Sequence, residues 1–128
     1  MVTGWKGTIS DVAVDSDTTV LETIVVREGA EYLWAEVGNS DVGNVFVSFD
    51  IQVQPHSSAS FHTVASTASD FTTGIQEPLL GCDTDMTALG VGSTGMLWMR
   101  LKGAYATRFR AACNTASDAM TAVRWMVR

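Results

Sequence analysis

The chain is poor in the residues that small proteins use to bind metals, perform chemistry or cross-link themselves. Across 128 residues there are two histidines, two cysteines, two prolines and two lysines. Two cysteines, Cys82 and Cys113, are too few for a disulfide framework, and both read as small buried apolar residues. The histidines, His56 and His62, lie in a serine-rich stretch and read as exposed loop residues. No G-x-S-x-G elbow occurs. "GVGSTG" (90–95) has the glycines of a phosphate loop without its lysine. Asp83 and Asp85 alternate in "CDTDMT", but the glycine and closing glutamate of a calcium loop are absent; they read as a solvated or helix-capping pair. The sequence therefore predicts no enzyme, no cofactor and no metal site.

Long apolar runs are also lacking. None reaches the 18 or so residues of a membrane helix, and "MVTGWKGTIS" has no basic region followed by an apolar one. The expectation is a protein made and used in a cytosol-like compartment, with no membrane partner. Charge is scarce at 17 %, whereas 46 % of residues are hydrophobic. That balance excludes disorder, and the length suits a single domain over 1–128.

The scarce charge is unevenly placed. Residues 1–99 hold two basic and thirteen acidic side chains, net −11, and residues 100–128 hold six basic and one acidic, net +5. Such asymmetry suggests a polar pairing surface. Nucleic acid is excluded as the partner, because a phosphate-binding footprint is not outweighed by the domain's own acids.

Helical periodicity is poor, and β-branched and aromatic residues recur between Gly, Ser, Asn and Asp turns. Strands are predicted at "WKGTIS", 18–26, 31–37, 45–53, 59–64, 69–73, 96–102, 107–113 and 120–127, with a brief helical turn near Asp85–Leu89. In 45–53, Val45, Val47, Phe49, Ile51 and Val53 are predicted to share one face. The fold class is all-β: an antiparallel β-sandwich of about eight short strands, whose count and length fit a jelly roll.

Alternation in the last three strands turns Leu97, Met99, Leu101, Phe109, Ala111, Cys113, Val123, Trp125 and Val127 inward. It turns Trp98, Arg100, Lys102, Arg108, Arg110, Arg124, Met126 and Arg128 outward. In a meander, Arg100, Arg110 and Arg124 would stand in one row, which like-charge repulsion disfavours. In a jelly roll the row would be split between sheets. Either the chain's own acids cover the row (Asp11, Asp15, Glu22, Glu28 and Glu36 are candidates) or another subunit does. The outward set of Trp, Met and Arg matches the composition of interface cores. The expected interface comprises Trp98, Arg100, Arg108, Arg110, Arg124 and Met126, with Trp5 near the N-terminus as a further anchor. Tyr32 and Trp34, two apart, share a strand face, either in the core or as a platform for stacking sugars.

The ending "LWMRLKGAYATRFRAACNTASDAMTAVRWMVR" resembles the closing strands of tailed-phage head decoration, or cement, proteins: an aromatic–basic strand, a Gly–Ala–Tyr turn, then "RFRA". The resemblance covers roughly the last third of the chain. It implies a structural virion protein, a homo-oligomer bound to the major capsid protein on the outer capsid surface, assembled in the host cytoplasm. A phage tail or connector component and a carbohydrate-binding β-sandwich module are the alternatives.

Overall fold

The computed structural model describes residues 6–7, 12–26, 29–39, 45–71, 74–76, 80–90, 92–114 and 119–128. Their strands are β1 (Lys6–Gly7), β2 (Val12–Val14), β3 (Thr19–Val25), β4 (Tyr32–Asn39), β5 (Phe46–Gln54), β6 (His62–Ala65), β7 (Gly74–Gln76), β8 (Leu80–Cys82), β9 (Thr94–Arg100), β10 (Ala106–Cys113) and β11 (Ala119–Val127). Two single 3-10 turns, Ala68–Phe71 and Met86–Ala88, complete the regular structure of the described residues. The larger sheet runs β1-β11-β4-β9-β8-β7, with β2 also on β11; the smaller runs β3-β10-β5-β6. The protein is an all-β antiparallel sandwich.

Its connectivity follows from nested pairing. β5 pairs β6, β4 pairs β9, β3 pairs β10 and β2 pairs β11, all antiparallel. The chain is thus one long two-stranded ribbon, rolled so that successive pairs fall alternately in the smaller and the larger sheet. That is the jelly-roll winding, with β7 and β8 added as a hairpin at the β9 edge.

Alternation sorts core from surface. Leu33, Ala35 and Val37 on β4, Leu97 and Met99 on β9, and Val123 on β11 line the inner face of the larger sheet. Phe49 and Ile51 on β5, with Phe109 and Ala111 on β10, face them from the smaller sheet. Phe49 is the hub: its ring stacks at 5.9 Å from Phe109 and 6.3 Å from Phe46, and meets Phe71 edge-on at 5.5 Å. Such pairs add to the area they bury. Cys82 and Cys113 are both buried, as the sequence suggested. Burial pushes the Cys82 thiol pKa up, which keeps it protonated and inert.

Strict alternation fails at bulges, of which two move core residues. β5 pairs Ser48 with Ala112 but Phe46 with Cys113, so Val47 is passed over. Phe46 therefore turns inward and is 1 % exposed, while Val47 is 57 % exposed, the reverse of the expected faces. On β3 the register slips between Phe109 and Arg110, and Leu21 and Ile24 both turn inward although three apart. The predicted strand at 69–73 is also corrected. Asp70 accepts from the backbone amides of Ser66 and Thr67 at 2.9 and 3.0 Å, closing a 3-10 turn that drops Phe71 into the core. The short strands β2, β7 and β8 were not expected.

Two stability predictions follow from this packing. Phe109→Ala should cost about 3–5 kcal/mol, from lost transfer energy plus a cavity, read as a lower urea midpoint with unchanged slope. Among the described residues, the Thr121 hydroxyl is the buried side-chain polar atom without a hydrogen-bond partner. Thr121→Val removes that desolvation cost and should raise stability by about 1 kcal/mol in the same assay.

Candidate docking face

The pairing of β4 with both β9 and β11 builds a patch on the outer face of the larger sheet. Its cross-strand lines can be read from the register. Trp34 lies opposite Trp98 on one side and Met126 on the other, and Trp98 in turn lies opposite Gly81. One step along, Glu36 lies between Arg124 and Met96. One step the other way, Tyr32 lies opposite Arg100 and exchanges both backbone hydrogen bonds with Arg128. The centre of this grid is aromatic and its corners are Arg100, Arg124, Arg128 and Met96.

The rings are half-buried against one another. Trp98 sits 6.1 Å from Tyr32 and 6.3 Å from Trp34, both tilted. Its indole lies across β8 because position 81 is glycine; a Cβ there would collide with the indole nitrogen. The Arg100 guanidinium stands 5.5 Å over the Tyr32 ring, a cation–π contact. The Arg128 guanidinium donates weakly to Met126 Sδ at 3.7 Å.

The expected interface set is divided by the fold. Trp98, Arg100, Arg124 and Met126 share the patch. Arg108 and Arg110 lie on β10, hence on the outer face of the smaller sheet, on the opposite side of the sandwich. Trp5 lies outside the described residues. The single row of arginines is not formed, because β9 and β10 belong to different sheets.

Charge is handled differently on the two faces. Arg110 is held by Asp50 in a fork, Nε donating to Oδ1 at 2.9 Å and Nη2 to Oδ2 at 2.6 Å. This hydrogen bonding raises the already high pKa of Arg110. Arg108 lies 4.1 Å over the Phe61 ring and donates from Nε to Gln52 Oε1 at 2.7 Å. Among the described residues, Arg110 is the one cation with a carboxylate oxygen within 4.0 Å. Arg100, Arg124 and Arg128 have none. Of the acids expected to cover the basic strands, Glu22 accepts from the Trp125 indole N–H at 3.3 Å instead, and Asp15 accepts from the Asp17 amide at 2.9 Å. Asp11 and Glu28 lie outside the described residues. Asp50 was missed, although it alternates outward on its own strand; its role becomes visible once β5 is known to pair β10 in a register that sets it opposite Arg110.

The other polar candidates have structural duties. Asp83 Oδ1 accepts from the Met96 amide at 2.8 Å. Asp85 caps the turn at Met86–Ala88, accepting from Thr87 N at 2.9 Å. His56 Nδ1 is 3.1 Å from Ser58 Oγ on an exposed loop, and His62 is exposed on β6. Among the described residues no three His, Cys, Asp or Glu side chains cluster as metal ligands. No helix of the described residues is long and apolar enough to cross a membrane.

No family model, no curated protein and no solved structure matches this chain. The site is therefore read from its own geometry.

The Arg110–Asp50 pair yields a test. Arg110→Glu sets two carboxylates opposite each other and should lower stability by about 1–3 kcal/mol, between the values for exposed and buried pairs. The swap Arg110→Glu with Asp50→Arg should recover most of that loss in a thermal melt. Arg124→Glu also faces a carboxylate, Glu36 across the β11–β4 pair, but breaks no hydrogen-bonded ion pair among the described residues, so it should move the midpoint less than Arg110→Glu does.

Proposed function

We propose that this chain is a non-catalytic structural module that docks through the outer face of its larger sheet. The observation that carries the reading is the patch itself: Trp34 flanked by Trp98, Tyr32 and Met126, ringed by three arginines with no carboxylate of the described residues within ion-pairing distance. Trp, Tyr, Met and Arg are the residues that interface centres favour. Cations with no ion pair among the described residues suit acids from a partner, and charge matching of that kind sets the partner's identity and approach. The partner surface has an acidic rim around an apolar centre.

The resemblance of the last third of the chain to phage cement proteins supplies the finer reading. On it, the partner is the major capsid protein of a tailed phage, the protein acts as a homo-oligomer, and its place is the outer capsid surface, where it stabilises the shell. A tail or connector position would use the same face.

A second reading is carbohydrate binding. One observation favours it: beside the Tyr32 ring lies a notch of about 210 Å³ bounded by Ala30, Glu31, Tyr32, Arg100, Lys102 and Gly103. Charged groups next to a stacking ring are what a sugar's hydroxyls and apolar face require.

The deciding experiment is co-sedimentation of the purified protein with capsid shells assembled from the major capsid protein encoded alongside it. Arg100→Glu and Arg128→Glu should each weaken binding by roughly thirtyfold or more, the effect of losing a central interface residue worth about 2 kcal/mol. Their melting midpoints should stay near that of the parent. Undiminished binding by both variants overturns the docking face. Glycan binding lost in Trp98→Ala, without any shell binding, moves the protein to the carbohydrate reading.

A further inference from the structure

A cleft of about 520 Å³ opens between the two sheets at the end of the sandwich marked by the β9–β10 turn. Its walls come from both sheets: Ile51 and Val53 on β5, Val64 on β6, Leu80 on β8, Met99 on β9, and Leu101 just beyond it. Ile51, Leu80, Met99 and Leu101 are core residues, so the floor of the cleft is the core itself. The size lies within the usual range for small-molecule sites, roughly 300–1,000 Å³.

The mouth is unusual in its backbone. Leu101, Lys102, Gly103 and Ala104 form a tight turn, closed by the Ala104 amide donating to the Leu101 carbonyl at 2.9 Å. Both central residues are left-handed, Gly103 at φ 77° and Lys102 at φ 49°. Lys102 is the one non-glycine residue with positive φ among those described. Asparagine and glycine suit that conformation, and lysine does not. A lysine kept at a disfavoured backbone φ at a cleft mouth points to a role for its charge. Arg100 lines the same rim, its guanidinium over Tyr32. On the far wall Asp70 Oδ2 accepts from Ser66 N, Thr67 N and Thr67 Oγ1 at 2.9–3.0 Å, which ties that carboxylate to its own turn.

We propose that this cleft binds an alkyl chain with an acidic head, a fatty-acid-class ligand, with Lys102 holding the carboxylate at the mouth. A peptide is the poorer occupant: its amides would lie against apolar walls unpaired, at a cost that an alkyl chain does not meet. An uncharged hydrocarbon would leave Lys102 without a purpose.

The test is a titration series of octanoate, decanoate and dodecanoate, followed by calorimetry below their micellar concentrations. Each methylene buried should tighten binding about fourfold, so about fifteenfold for each two-carbon step, until the cleft is full. Methyl dodecanoate should bind about tenfold more weakly than dodecanoate. Lys102→Asn, which keeps a residue suited to the left-handed turn, should erase that difference between acid and ester without lowering the melting midpoint. Anionic phospholipid vesicles form a second arm: binding to them with the same Lys102 dependence makes the acyl chain of a lipid the source, and its absence makes the free acid the source. Loss of the chain-length dependence, or equal binding of dodecanoate by parent and Lys102→Asn, overturns the proposal. So does no saturable binding by the parent.

Discussion

The pairing of β4 with β9 on one side and β11 on the other is the constraint on which the rest depends. It fixes the register of the larger sheet through seven cross-strand positions on each side. Because side chains alternate, that register decides two things together. Leu33, Ala35 and Val37 go to the core, and Tyr32, Trp34 and Glu36 go outward among Trp98, Met126, Arg100 and Arg124. A slip of one residue on either neighbour would send Trp98 or Met126 to the other face and Leu97 or Val123 into water. The outer patch is therefore tied to the core: the fold cannot lose one and keep the other.

The same pairing explains how an acidic protein tolerates six basic residues in its last quarter. Winding the ribbon puts β10 in the smaller sheet, between β3 and β5, and leaves β9 and β11 two strands apart with β4 between them. Arg100 and Arg124 are then separated by about 10 Å across the sheet, two strand spacings, and by four further residues of register along β4. Repulsion at that range is largely screened at physiological salt. Within the smaller sheet Arg110 finds Asp50, a residue 60 positions away in the chain. One arginine of the outward set is thus neutralised internally. The three on the larger sheet are spaced apart and form no ion pair among the described residues, and this difference separates a structural face from a candidate docking face.

Much of the sandwich was legible because period-two alternation is written plainly in 31–37, 96–102, 107–113 and 120–127, and the last three of these strands turn the expected side inward. Legibility failed where something other than alternation set the geometry. At Val47 a bulge inverted the start of β5, and no turn residue marks it in the sequence. At 69–73 an aspartate that accepts three local hydrogen bonds won over β propensity. The outward direction of each arginine was readable from parity alone, but the sheet to which each belongs was not. That depends on pairings between strands some 60 residues apart, which spacing in a single sequence does not encode. Tyr32 and Trp34 were readable as a pair on one face; whether that face was core or surface depended on the burial of Leu33 and Ala35 between them.

The patch is also small. Two strand spacings by four residues is roughly 10 by 13 Å, well below the 800 Å² or so that each partner contributes to a standard interface. It can be the centre of such an interface, not the whole. Two features make it a good centre. Trp98 is already flattened over Gly81 and Arg100 already rests on Tyr32, so little rotamer freedom remains to be lost on docking. The three cations are exposed and far enough apart to meet three separate acids. A single contact built this way would be weak on its own. Repetition changes that, because linked copies binding a regular array convert later contacts into intramolecular ones at high effective concentration. A compact, pre-ordered patch on a small rigid sandwich therefore suits a repetitive surface better than a solitary partner, which is the physical ground for proposing an assembled shell over a free protein as its partner.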